Sequence, residues 1–162
     1  MHVTADLDGL VKQLEDLYKE TVRKFENMVR GWSYEVTLTA IGNTPLGNNA
    51  AEPVGNLASY LRRQQEYGFL PEPGLARSGW QAKPNGNLTF QEHYDPGIAL
   101  SGVRSSMASY RLGQDVWIGN RGPYIKLLED NFSNQTNGDG IMKPTLQSIE
   151  ALYRSDFAKY YK

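Results

Sequence analysis

Cysteine is missing from this chain of 162 residues, which removes disulfides, thiolate metal sites and cysteine nucleophiles together. Histidine is nearly missing: His2 sits at the start and His93 has no second well-placed imidazole to share acid–base work. Charge of one sign is also lacking. Its 17 basic and 18 acidic residues give a net charge of −1, with no positive excess to hold a polyanion by counterion release. No apolar run approaches the ~20 residues that span a bilayer. No Gly-x-Ser-x-Gly elbow surrounds Ser78, Ser105 or Ser106, and no Gly-rich run ends in Gly-Lys-Ser or Gly-Lys-Thr, so nucleophile and nucleotide readings find no motif. The opening MHVTADLDGLVKQLED places acidic residues where an export signal needs a basic start and an unbroken apolar run, which predicts a cytoplasmic product.

What is present suits one core. A hydrophobic content of 40% at this length predicts a single domain over 1–162. Leu7, Leu10, Val11, Leu14, Leu17, Tyr18, Val22, Phe25, Met28, Val29 and Trp32 recur at helical spacing, with Lys12, Glu15, Asp16, Lys19 and Glu20 between them. The simplest reading is one stripe buried on the chain's own core; a partner-facing helix is the alternative. Between Trp32 and Ala40 both helical and strand periods fit. Asn43 to Asn56 has the Gly, Asn and Pro content of a loop, and Leu57, Tyr60, Leu61 and Tyr67 suggest a short helix ending at Gly68. Leu75–Ala82 and Leu88–His93 read as two strands of a hairpin turning at Asn85-Gly86. Ile98, Leu100, Val103, Met107 and Tyr110 suit a helix ending before Gly113, and Leu146, Ile149, Leu152, Tyr153, Phe157 and Tyr160 suit another from Met142. The fold class expected is α+β, a small antiparallel or mixed sheet packed with a long N-terminal helix and a C-terminal helix.

Residues of catalytic type gather at Glu92, His93 and Asp95. Glu92 and His93 are adjacent and would face opposite sides of a strand, which argues against a shared metal. Neither a metal nor a cofactor is expected. The repeated Gly–Asn pairs suit turns, and Arg62-Arg63 suits a solvated helix face. Trp32, Trp80 and Trp117 fall in separate elements, where each suits either a core or a subunit interface.

The stretch from Val116 to Met142 carries most information. Val116-Trp117-Ile118 is β-branched and aromatic, Gly119-Asn120 and Gly122-Pro123 break it, and Tyr124, Ile125, Leu127 and Leu128 follow at short-helix spacing. Ser133 to Gly140 is almost wholly polar. This stretch resembles the signature of a tailed-bacteriophage family of tail-component, tail-completion and neck proteins, a strand followed by I-x-N-x-x-P-Y-x-x-x-L-E-x-G-x-S-x-Q-A-P. Ile118, Asn120, Pro123, Tyr124, Leu128, Glu129, Ser133 and Gln135 meet the pattern; Asn131, Thr136 and Asn137 depart from its Gly, Ala and Pro. Upstream, Thr44-Pro45-Leu46-Gly47 and Arg77-Ser78-Gly79-Trp80-Gln81 resemble the family's T-P-V-D-T-G and R-x-x-W segments, separated here by a loop-rich insertion at 48–75.

The resemblance implies a helix continuing to about Ile41, roughly 50 Å long at 1.5 Å per residue. It implies a virion structural protein of the head–tail junction, a tail terminator or tail-completion protein and not an enzyme. Such a protein forms a homo-oligomeric, hexameric ring between connector and tail tube, contacts other neck proteins, and lets DNA pass through its lumen without sequence-specific binding. It would be assembled in the host cytoplasm, away from membranes. In that frame Tyr124, Leu128 and Glu129 define the turn, and Ser133 and Gln135 lie at an interface. A monomeric protein-binding adaptor and a small hydrolase using Glu92, His93 and Asp95 are the alternatives.

Overall fold

The computed structural model describes residues 7–45, 75–90, 95–122, 125–129 and 139–160. Among them the chain runs α1 (Leu7–Asn43), α2 (Leu75–Ser78), β1 (Trp80–Pro84), α3 (Pro96–Met107), β2 (Val116–Asn120), α4 (Ile125–Glu129) and α5 (Met142–Tyr160). The fold is α+β: a long N-terminal helix, one antiparallel strand pair and a C-terminal helix. The ambiguous 32–41 stretch is helical. The expected short helix at 57–68 lies outside the described residues.

The hairpin expectation is corrected. Residues 75–78 form a helical turn, and β1 pairs with β2, Trp80 opposite Asn120 and Pro84 opposite Val116. The turn after β1 is real, since Asn85 takes φ 47°, but residues 86–90 form no strand. Instead the Gln81 side chain reaches across, its amide N–H donating to the Thr89 carbonyl. The reason lies in the edges of β1. One is paired with β2; on the other, the Ala82 carbonyl accepts from the Ser106 hydroxyl at 2.6 Å, and Pro84 has no N–H to offer.

A second correction concerns α1. Its buried residues are Ser33, Thr37, Ala40 and Ile41, not the large apolar stripe. Ser33 and Thr37 can be buried because each hydroxyl donates to the carbonyl four residues back, at 2.8 Å in both cases. Small side chains then let α1 approach the sheet and α3 closely. Two clusters form the core. Ala40, Ile41, Trp80, Ala99 and Ile141 make one; Ala82, Val103, Met107 and Tyr110 make the other, with Val116 and Ile118 against it.

Helix α3 begins where Asp95 caps it, Oδ1 accepting from the Gly97 N–H at 2.8 Å, with Pro96 at a first-turn position. It ends at Met107, short of the expected Leu112, because α1 takes over its terminal carbonyls. Arg30 donates to the carbonyls of Met107 (3.1 Å) and Tyr110 (2.8 Å), while Glu26 accepts from the Leu112 N–H and pairs with Arg30 at 3.2 Å. A guanidinium at a helix C-terminus also opposes the negative end of its dipole.

Met107 is only 1% exposed, at the centre of the second cluster. Met107→Ala is expected to cost about 2–5 kcal/mol, read as a lower midpoint in urea unfolding; a shift near zero would mean that this cluster is not a packed core.

Candidate assembly surface

Several of the residues singled out in the sequence bind one another within the fold. Thr44, just past α1, is fully buried. Its hydroxyl donates to the Ala40 carbonyl at 2.6 Å and accepts the Trp80 indole N–H at 2.8 Å, while its own carbonyl accepts from Arg77 Nε at 2.6 Å. The Thr-Pro and Arg-x-x-Trp segments, far apart in sequence, thus meet at one residue. Asn43 adds a bond to the Thr145 hydroxyl of α5 at 3.1 Å.

The central motif behaves alike. Ile118 packs into the second core cluster, opposite Ala82. Asn120 closes β2: its Nδ2 donates to the Ala76 carbonyl at 2.7 Å and its Oδ1 accepts from the Gly122 N–H at 2.8 Å. Leu128 packs on the first cluster. Glu129 caps α5, accepting from the N–H groups of Ile141 (3.2 Å) and Met142 (3.0 Å), where a carboxylate also favours the positive helix end. Gly140 precedes that cap at φ +66°, and a Cβ there would stand 2.5 Å from Glu129 Oε2, so the approach needs glycine twice over. Pro123, Tyr124, Ser133 and Gln135 lie outside the described residues.

The alternative catalytic cluster is not assembled from what is described. Glu92 and His93 lie outside the described residues, and the Asp95 carboxylate is engaged as the α3 cap. Among the described residues no three His, Cys, Asp or Glu side chains converge as a metal site needs. Among the described residues, a groove of about 170 Å³ between β1 and α3 has one ionisable lining side chain, Lys83. Among the described residues no helix is long and apolar enough to cross a membrane.

The surface that stands out is on α1. Leu7, Leu10, Val11, Leu14, Leu17 and Tyr18 are each more than half exposed, with Leu14 at 57% and Tyr18 at 70%. Successive helical residues are about 100° apart, so Leu14, Phe25 and Trp32 continue one line while Ser33, Thr37 and Ala40 lie on another. The apolar line stays open as far as Trp32, whose ring meets Tyr153 of α5 edge-on at 4.7 Å. Elsewhere around the helix, Glu15–Lys19 and Glu20–Lys24 pair at i,i+4, and the Lys24 hydrogen bond holds the Glu20 carboxyl below its usual range. The periodicity that signals this stripe is plain in the sequence; its exposure is not. The three tryptophans divide in the same way, Trp80 being 2% exposed in the core and Trp117 58% exposed on β2.

Thr44→Val would leave the buried Trp80 N–H without its acceptor, at an expected cost of about 1–3 kcal/mol. Thr44→Ser keeps the hydroxyl and should lose clearly less. Equal losses for the two variants in chemical denaturation would show that the hydrogen bond contributes nothing.

Compared with known proteins, the chain matches no family model, no curated protein and no solved structure.

Proposed function

We propose that this chain is a structural protein of the bacteriophage neck, a tail terminator or tail-completion protein that works by assembly into a ring between connector and tail tube. The observation that carries the assembly reading is the open apolar face of α1. Six large side chains along its first three turns face water. Covering them on a neighbour would contribute on the order of 1 kcal/mol each, enough in sum to hold an interface. A helix of this length, about 55 Å at 1.5 Å per residue, extends past the core clusters it serves at Ala40 and Ile41 and so offers reach between subunits.

The neck assignment is supported by the resemblance over 116–142, 44–47 and 77–81. Its described residues bind one another: Thr44 with Arg77 and Trp80, Asn120 with Ala76, Glu129 with the start of α5. Such mutual contacts are what a shared fold requires, and they leave the partner-facing surface to α1. A net charge of −1 agrees with DNA passing through without being gripped.

Native mass spectrometry at several concentrations should show six- or twelve-subunit species. A Leu14→Asp, Leu17→Asp variant should lose them while keeping its far-ultraviolet circular dichroism, because both side chains are exposed. A monomer at every concentration would count against the ring and in favour of an adaptor. In phage lacking the chain, negative-stain images should show unjoined heads and tails; normally joined particles would overturn the neck reading.

A further inference from the structure

The apolar residues of α1 keep a stricter order than a stripe on the chain's own core requires. Val11, Tyr18, Phe25 and Trp32 recur every seven residues, Leu14, Thr21 and Met28 follow the first three of them at three residues, and Leu7 continues that second series upstream. This is the a and d pattern of a coiled coil, unbroken from Leu7 to Trp32, which is about 39 Å at 1.5 Å per residue. The seam is open along its length, down to Met28 at 36% and Trp32 at 37% exposure. Thr21 suits a dry seam, because its hydroxyl already donates to the Leu17 carbonyl at 2.8 Å.

What could cover such a seam is limited by length. Among the described residues, Tyr153 of α5 meets it at Trp32, its C-terminal end. The longest run outside the described residues, 46–74, is punctuated by Pro53, Gly55, Gly68, Pro71 and Pro73, and an unbroken helix between its inner glycines would span only about 18 Å. The run 130–138 offers one large apolar residue, Phe132. A helix that matches the seam in both length and pattern is α1 itself, on another copy.

We propose that α1 pairs with α1 of a second copy of this chain as an antiparallel coiled coil, about a twofold axis between Lys19 and Glu20. In that register each a residue lies level with a d residue of the other copy: Trp32 with Leu7, Met28 with Val11, Phe25 with Leu14 and Thr21 with Tyr18. The whole seam is used, and each contact occurs twice, as a self-complementary interface requires. Charge selects the direction. Residues 7–19 carry Asp8, Glu15 and Asp16 against Lys12 and Lys19, whereas 20–32 carry Arg23, Lys24 and Arg30 against Glu20 and Glu26, so antiparallel helices set the negative half on the positive half. The core clusters at Ala40 and Ile41 also fall at opposite ends of the pair instead of side by side. Flanking residues select the register. Here Asp8 faces Val29 and Glu15 faces Val22; sliding by one heptad sets Glu15 against its own equivalent, by two sets Asp8 against Glu15, and the opposite slide brings Val11 level with Glu35. The pairing rests on reading α1 as a contact surface and not on the phage assignment. It makes the pair the unit from which a six- or twelve-subunit species is built.

The natural absence of cysteine makes the test direct, since any disulfide comes from an introduced pair. Full-length Leu14→Cys and Phe25→Cys chains, mixed and oxidised, should link to each other readily, and each alone should link to itself only weakly, because antiparallel pairing holds equal positions far apart. Val11→Cys with Met28→Cys gives an independent second reading, and unchanged circular dichroism would confirm the fold of each variant. Sedimentation equilibrium should show Val22→Glu, which sets two like charges against Glu15, weakening the pair about threefold, with Glu15→Lys in the same chain restoring it. Ready self-linking of Leu14→Cys would mean parallel helices and overturn the proposal, as would failure of both mixtures to link or indifference to Val22→Glu. If neither mixture links while Leu14→Asp, Leu17→Asp still abolishes association, this pairing fails and α1 stands as a contact surface of another kind. A monomer at every concentration overturns both, and linked pairs that never grow larger overturn the ring alone.

Discussion

The bond from the Trp80 indole to the Thr44 hydroxyl sits where four elements must agree. Thr44 ends α1 by bonding back to Ala40, and its carbonyl, one of the groups a helix end leaves open, is taken by the Arg77 guanidinium. Trp80 opens β1, so holding its ring against Thr44 sets where the strand starts and hence the register with β2. Asn43 beside it binds Thr145 of α5. The link also joins the two sides of segment 46–74. Closing a longer loop adds only a logarithmic entropy cost, so an insertion between Thr44 and Arg77 is tolerated if the closing bonds are buried.

Other helix ends are closed from a distance in the same manner. Arg30 and Glu26 of α1 serve the C-terminus of α3 and the turn after it, and Glu129 of α4 serves the first amides of α5. Arg30 and Glu129 are charged groups meeting helix ends of opposite partial charge, while Glu26 pairs with Arg30 and takes the Leu112 N–H. Because these contacts join elements distant in sequence, a small core of alanine, threonine and a few larger side chains can specify one arrangement. Thr44, Arg77, Trp80, Asn120 and Glu129 all take part in such closures.

The open apolar face follows from how α1 divides its labour. Close packing against the sheet and α3 takes the small face, Ser33, Thr37 and Ala40, because large side chains there would force the layers apart. The leucines and aromatics are thereby left outward. In the sheet, the two strands among the described residues have one edge closed by α3 on the side of β1. The exposed side chains of α1 place apolar surface in water, which is the condition under which association is favourable.

Much of this was legible in the residues, and the failures share one cause. The runs Leu7–Trp32 and Met142–Tyr160 announced helices, Val116–Ile118 a strand and Asn85-Gly86 a turn, and Asp95-Pro96 starts α3. The strand partner of β1 was misread because a turn residue is chosen locally, whereas pairing depends on which edge is free once α3 has packed. The burial of α1 was misread because a 3.6-residue period reveals that an apolar stripe exists and not what covers it. The sequence by itself determined the helices, the turn and the absence of cysteine chemistry, since these depend on neighbouring residues and composition. Only the tertiary structure decided that Thr37 is inside and Leu14 outside. Burial is settled by what a side chain meets from elsewhere in the chain, and a hydroxyl bonded to its own helix is easier to bury closely than a leucine that needs room.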